Sequence, residues 1–519
     1  MARVWQEGFE AGLPDVQYME NTKPSQIKGL DVGISTSDQF AFPDHIGLAT
    51  GRNAYSQKAL RINGASALVK SIKVLDSSYS EVYLRVYYKV TIEEADDARE
   101  VIALKNINDE YLMSLYSNAG SGGYELKVKT SGTYQTVASG ITLVSGQWYK
   151  IDFYFKASAT VGAYEFKIDD VSQASDSSDN TGADNVQLVH FGTGTGGCTD
   201  DHYFDDIALN DTTGTINNSW CGAGTIIALS PKAAGNYSQF DSCAGYAEAE
   251  ASTNTTTIKI TGHNLSTNDI IYNKTRNEYR VVTVSDANTL TVSSVTSQAE
   301  GDIILTYAYQ DEIINTIPTT VSDDKYVTIV GHNLESGDVV YNVDTSDIQR
   351  VVYISGDNVY NATTYPSDIT GGIIGVSNSS QNAGDVIRTF KFQPYSITNH
   401  WEAVANGSND KSSKYSYIQS NTTNDIDSFD MEELVADKSV DSGVQINAVS
   451  LSVYAKEAGA GSQFQHLVRT NSTDYVGDTK TMSGGTLDYQ HIWSVNPDTS
   501  ARWTQAQIDA IETGVKVVS

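Results

Sequence analysis

Residues 81–90 read EVYLRVYYKV, and their alternation decides the fold. Val82, Leu84, Val86, Tyr88 and Val90 fall on one side of an extended chain. Tyr83, Arg85, Tyr87 and Lys89 fall on the other, because successive side chains of a strand point to opposite faces. β-Branched and aromatic residues at this density suit a pleated, half-buried surface. Similar segments recur at Tyr111–Tyr116, Tyr124–Val128, Tyr149–Phe155, Tyr164–Ile168, Val186–Phe191 and His202–Leu209, with Gly, Ser, Asn and Asp between them. Short strands at close spacing, punctuated by turn residues, predict an all-β sandwich.

The rest of the composition agrees. The 519 residues suffice for several domains with full cores, and 41 Gly and 31 Tyr with only 19% charged residues describe turn-rich β structure. Against 34 Lys and Arg stand 64 Asp and Glu, a formal net charge of −30. Such a surface repels nucleic acid and keeps crowded copies soluble, so no nucleic-acid partner is expected. Cys198, Cys221 and Cys243 lack CxxC spacing, which argues against zinc and leaves buried thiols or one local bridge. The opening MARVWQEGFEAG has neither the basic region nor the apolar core of a secretory leader, so no signal peptide is expected. No apolar run approaches the length of a membrane span.

The order of motifs in residues 1–215 resembles a concanavalin A-like, laminin-G-like jelly roll. It opens with Trp5, Phe9 and Glu10, continues through Ser56–Asn63 and Gly146-Gln-Trp148-Tyr, and closes with Tyr203-Phe-Asp-Asp206-Ile. The resemblance implies two antiparallel sheets with Trp148 in the core. It implies a fold used widely for carbohydrate or surface binding, which makes host-surface carbohydrate a candidate partner. Asp200 and Asp201, with Asp205 and Asp206, are weak candidates for calcium, a hard cation that takes six to eight oxygens. Solvated carboxylates at a strand edge are the plainer reading. Glycosidases on this jelly roll carry an ExDxxE strand, which is missing here, as are GxGxxG, Walker, HExxH and GxSxG motifs. No catalytic residue and no cofactor is expected.

Downstream the chain repeats itself. GHNLSTNDIIYN at 262–273 returns as GHNLESGDVVYN at 331–342, with seven of twelve positions identical at an offset of 69. Alternating Val and Ile around a Gly-His-Asn turn predict two small, self-contained β modules, 251–310 and 311–390. His263 and His332 hold the same position, where a histidine orders the turn through side-chain hydrogen bonds. After the linker TTGTINNSWCGAG, the segment Thr225–Ser238 leads into a pattern that resumes at Asn399, Trp401, Tyr415–Gln419 and Ile446–Lys456. Residues 216–250 and 391–519 therefore read as one discontinuous β domain with both modules lodged in a loop; four domains in a row is the alternative. One terminal helix is expected from Trp503. Thr504 and Gln507 would form its capping box, Trp503 and Ile508 its staple, and Gly514 its C′ residue.

The closing segment NPDTSARWTQAQIDAIETGVKV, with the jelly roll upstream, resembles a family of tailed-bacteriophage virion proteins, and the GHNL repeats resemble small modules of phage tail, fibre and decoration proteins. That resemblance implies a non-enzymatic structural protein on the particle exterior, tail-associated or fibre-like, with host-surface glycan binding. Capsid decoration protein and polysaccharide depolymerase are the alternatives, and a secreted adhesin is a third. The implied partners are other virion proteins and further copies of the chain, in a trimer or ring. Family members continue into one more strand, so a final sheet edge that is short, or completed by a neighbour, is expected.

Overall fold

The computed structural model describes residues 3–9, 29–34, 46–56, 58–63, 69–91, 99–118, 123–193, 200–240, 242–245, 247–248, 256–260, 263–273, 278–292, 303–314, 326–329, 334, 338–355, 372–376, 385–393, 395–396, 400, 404, 417–455, 461–482 and 487–519. Strands dominate throughout, as the alternating segments require. The chain divides into two compact units. One comprises Met1–Ser242, Asn399–Ser413 and Ile418–Ser519, the other Cys243–Thr398 and Lys414–Tyr417.

The first unit begins with a two-sheet sandwich. One sheet runs Val171–Asp179, Gly162–Ile168, Tyr149–Lys156, Glu81–Thr91, Asp201–Asn210, Lys58–Asn63 and Ile46–Thr50, and Arg3–Glu7 also pairs with Asp201–Asn210. The other runs Thr133–Ile141, Gly123–Thr130, Tyr111–Asn118, Arg99–Lys105, Val186–Thr193, Val69–Tyr79 and Gly29–Ile34. Val82, Leu84, Val86, Tyr88 and Val90 enter a core shared with Val101, Leu104, Met113, Leu115, Leu126 and Val128 of the facing sheet. Burying each such side chain contributes about 1.5–3 kcal/mol, which holds the sheets face to face.

Trp148 is not in that core. It directly precedes Tyr149–Lys156, whose Tyr149, Ile151, Phe153 and Phe155 face inward. Parity turns Trp148 outward. There its half-buried ring lies 6.5 Å from that of Tyr203, with Lys89 Nζ 4.8 Å above it.

The linker is a strap. Its carbonyls at Ser219 and Gly222 accept hydrogen bonds from Asn210 Nδ2 (2.8 Å) and Arg85 Nη1 (3.1 Å). Trp220 sits 5.3 Å from Tyr83, with Lys167 Nζ 3.8 Å from its centroid. Cys221 is a buried free thiol, its Sγ donating to the Ala208 carbonyl at 3.3 Å. Cys198 lies outside the described residues, and Cys243 is described only as part of the strand Ser242–Gly245.

The same unit closes with a sheet in the order Pro231–Ser238, Ile426–Met431, Glu512–Val517, Gln463–Thr470 and Thr473–Thr481. Strands from before and after the repeats thus lie side by side. Glu512–Val517 is interior, paired with Ile426–Met431 and Gln463–Thr470, so the last strand is not itself an edge of its sheet. The helix is a single turn, Gln505–Ile508, with the Thr504–Gln507 capping box in place. Gly514 does not end it. A Cβ there would fall 2.0 Å from the Asp427 carbonyl oxygen, so glycine is needed for close strand approach and the pairing on both sides overrides helix propensity. Trp503, Ile508 and Ile511 pack with Phe429, Met431, Val468 and Trp493, and Trp503 Nε1 donates to the Trp493 carbonyl at 3.0 Å.

In the second unit the repeats share one sheet instead of forming two self-contained modules. The first contributes Thr257–Lys259, Thr289–Val292, Glu278–Asp286, Ile270–Asn273 and Ile303–Ile314, in that order. The second continues with Val386–Gln393, Val339–Asn342, Asp347–Ser355, Gly372–Val376 and Tyr326–Ile329, the same order reversed. Ile303–Ile314 and Val386–Gln393 therefore overrun the ends expected at 310 and 390. Tyr307 pairs with Phe392 and Tyr309 with Phe390, so a local two-fold passes through the Ala308–Lys391 pair. A lone repeat would leave its last strand as an open edge; joining the two last strands covers both. His263 orders its turn, Nδ1 accepting from Leu265 N (3.0 Å) and Nε2 lying 2.8 Å from the Asp286 carbonyl. His332 lies outside the described residues.

Candidate functional site

The aspartates singled out from sequence lie on or beside the strand Asp201–Asn210. Asp201 pairs with Arg61 at 2.8 Å, and Asp200 is buried. The structure brings Asp205 and Asp206 together at a bulge, where Asp206 has a φ of 48° and both side chains are buried. Asp205 accepts from Ser56 Oγ at 2.7 Å and from the Arg52 backbone N–H at 2.9 Å. Asp206 accepts from Arg52 Nη2 at 2.7 Å and from the Ile226 N–H at 2.6 Å. Arg52 also donates to the Gly224 carbonyl at 3.1 Å and stacks on Tyr87 at 3.8 Å. The positive charge beside this pair is arginine, and its hydrogen bonds fasten the strap. Burial, and next the neighbouring Asp206 charge, push the Asp205 carboxyl up to about 7. Burial also raises Asp206, against the pull of Arg52. Among the described residues, no three His, Cys, Asp or Glu side chains gather as a metal site requires.

A different face has the character of a binding surface. On the second sheet, Met113, Leu115, Leu126 and Val128 point into the core, which leaves Ser114, Tyr116, Glu125 and Lys127 on the outside. Tyr134, from the adjoining strand, joins them through a hydrogen bond between its hydroxyl and that of Ser114. Its ring stacks on Tyr111 at 5.0 Å, and Tyr111 lies 6.1 Å from Tyr116. All three tyrosines are half-buried. Lys127 Nζ stands 4.3 Å over the Tyr116 ring, with Glu125 3.8 Å away.

Beneath these rings lies a buried ionic network. Lys105, 3% exposed at its side chain, sits 3.3 Å from Glu100, 3.0 Å from Asp109 and 3.7 Å over the Tyr111 ring. His190, on the neighbouring strand, has Nδ1 3.2 Å from Glu100 and Nε2 3.5 Å from Asp109. The Tyr111 hydroxyl donates to Glu100 at 2.6 Å. Burial pushes the Glu100 carboxyl upward, but His190, Lys105 and Tyr111 outweigh it and hold it at about 2. Burial, reinforced by Glu100, raises the Tyr111 phenol, so this ring stays neutral. The arrangement is an aromatic wall with hydroxyl and charged groups at its rim. Rings of this kind cover the apolar faces of sugars while polar neighbours take the hydroxyls. Sequence reasoning missed these residues. The available signal was tyrosine at outward parity, which Tyr116 and Tyr134 have but which is too common here to select them. Tyr111 has the inward parity of Met113 and joins them only through the register shift between Leu104 and Lys105.

No family model and no curated protein matches this sequence. Among solved structures, it is similar to the cellulose-induced protein Cip1 at 13% identity, over 42% of this chain and 100% of that one, with a TM-score of 0.30. It is similar to the carbohydrate-binding module CBM66 from Bacillus subtilis at 10% identity, over 38% and 100%, with a TM-score of 0.23. A galectin, LEC-6 of Caenorhabditis elegans, aligns at 14% identity over 29% and 95%, with a TM-score of 0.20. Likenesses this slight carry no inference on ligand or activity.

Proposed function

We propose that this chain is a structural protein of the exterior of a tailed-phage particle, tail-associated or fibre-like, whose jelly roll holds a host-surface saccharide on the Tyr111–Tyr116–Tyr134 face without catalysis. The particle reading is supported by the closing motif at residues 496–517 together with the jelly roll upstream. The observation that carries the saccharide reading is the three-tyrosine wall, propped by buried Lys105 and Glu100. A preformed aromatic surface lowers the ordering cost of binding.

Two measurements test it. A glycan array probed with the intact chain is expected to give a binder whose affinity drops about tenfold or more in Tyr116→Ala and Tyr134→Ala. A silent array, or variants that bind like the parent, would overturn the saccharide reading. Quantitative mass spectrometry of purified particles is expected to find the chain in proportion to tail subunits. Proportion to the major capsid protein would move it to capsid decoration.

A depolymerase is the second reading, because Tyr111, Glu100 and His190 share one cluster. The burial of His190 and the engagement of the Tyr111 hydroxyl by Glu100 weigh against it. New reducing ends after incubation with host polysaccharide would establish it.

A further inference from the structure

A cavity of about 390 Å³ opens at the seam of the two repeats, within the range of small-ligand pockets, about 300–1,000 Å³. One wall is the first repeat's turn, with Asn264, Ser266 and Asn268. The other is Tyr309 from that repeat's last strand, with Arg388 and Gln393 from the last strand of the second repeat. Neither repeat makes the cavity alone.

Its lining is polar. The amides of Asn264, Asn268 and Gln393 and the Ser266 hydroxyl can each donate or accept, and the Arg388 guanidinium only donates. The carboxylate in the lining, Asp269, has its oxygens engaged by the N–H groups of Ser266 at 2.7 Å and Tyr309 at 2.9 Å. Arg388 gives Nε to Glu312 at 2.7 Å, which leaves its terminal nitrogens to the cavity. Tyr309, 44% exposed, adds an aromatic ring held at 71° to Phe390. The two-fold equates Tyr309 with Phe392 and Arg388 with Leu305, and the second turn carries Glu335 and Gly337 in place of Ser266 and Asn268. Asn264 recurs as Asn333, but Ser266, Asn268 and Arg388 have no side-chain donor at the matching position of the other repeat.

We propose that this cavity binds a carboxylated saccharide, a uronic acid residue, with its carboxylate on Arg388, its hydroxyls on Asn264, Asn268 and Gln393, and its ring against Tyr309. The site is separate from the jelly-roll face. Ligand-observed NMR titration of the intact chain with methyl β-D-glucuronide, methyl β-D-glucoside and acetate tests it. Glucuronide is expected to bind in the millimolar range, with glucoside and acetate weaker by about tenfold or more. Arg388→Met and Asn268→Gly are expected to remove glucuronide binding, and Tyr116→Ala to retain it. Asn268 has a φ of 79°, a conformation glycine adopts freely, so the second variant keeps the turn. The proposal is overturned by absence of glucuronide binding, by equal binding of glucoside or acetate, or by Arg388→Met and Asn268→Gly chains that bind like the parent.

Discussion

Asp269 and Tyr309 are joined by a hydrogen bond from the Tyr309 N–H to Asp269 Oδ1 at 2.9 Å, and the second repeat copies it between Phe392 and Asp338 at 3.0 Å. Both carboxylates are buried. Asp269 therefore fastens the first GHNL turn to the strand through which the repeats join, and Asp338 makes the matching bond to the last strand of the second repeat. Asp269→Ala deprives the Tyr309 and Ser266 N–H groups of their acceptor, a loss of about 1–3 kcal/mol. Urea denaturation followed by tyrosine fluorescence is expected to show an earlier transition, with Asp269→Asn intermediate. A transition that does not move would mean water replaces the carboxylate at no cost.

The buried Asp205–Asp206 pair sets a pH dependence whose sign is unusual for a carboxylate. Asp205 is raised from 3.8 to about 7 by burial first and by Asp206 second, so between those values the folded chain holds a proton that the unfolded chain releases. Stability from this group is therefore present at the acid end and lost as pH rises from about 4 to about 7. Asp205→Asn keeps a side-chain oxygen for the Arg52 N–H and cannot titrate. Melting temperatures measured across this window are expected to fall less steeply with pH in the variant. Parallel slopes for the two chains would refute the assignment.

The strands of the jelly roll were legible because each alternates over enough residues to mark an inward face; Glu81–Thr91 and Tyr149–Lys156 lie where the pattern puts them. What lies against the outward face was not legible. The strap is held by backbone carbonyls on Arg85 and Asn210, interactions that leave no hydrophobic pattern. Trp148 misled because its residue type suggests a core while its parity with Tyr149 forbids one. The capping box at Thr504 is local and was legible. The end of that helix depends on Asp427, far away in sequence, and was not. The same holds for both candidate sites. Tyr111, Tyr116 and Tyr134 meet only through the register of three strands, and Asn268 meets Arg388 only because the repeats join end strand to end strand.

Lys105 offers a sharp contrast with an exposed counterpart. Its side chain is 3% exposed between Glu100 and Asp109, whereas Lys232, 36% exposed, pairs with Glu433 and Asp437. Removing one partner from a buried pair costs about 3–5 kcal/mol because the other charge stays buried. An exposed pair contributes far less, because water screens both charges. Lys105→Met is therefore expected to lower stability severalfold more than Lys232→Met in chemical denaturation, and to weaken saccharide binding by unseating Tyr111. Equal effects would mean the network under the tyrosine wall is not what props it.

Gly514 and Gly443 separate close packing from backbone strain. A Cβ on Gly514 would lie 2.0 Å from the Asp427 oxygen and 2.9 Å from Ser428 Cα, all of it backbone that cannot step aside. Gly443, at a φ of +85°, has no atom within 4 Å of such a Cβ, so alanine there meets only the left-handed penalty of about 1–2 kcal/mol. Overpacking costs about 1–3 kcal/mol where side chains can shift, and more where they cannot. Because Glu512–Val517 is paired on both sides, pushing it from Ile426–Met431 also drives it into Gln463–Thr470. Gly514→Ala is expected to lower the melting temperature well below that of Gly443→Ala, with loss of amide protection in Gln463–Thr470 by hydrogen exchange. Similar melting temperatures for the two variants would show that the interior placement of the last strand is wrong.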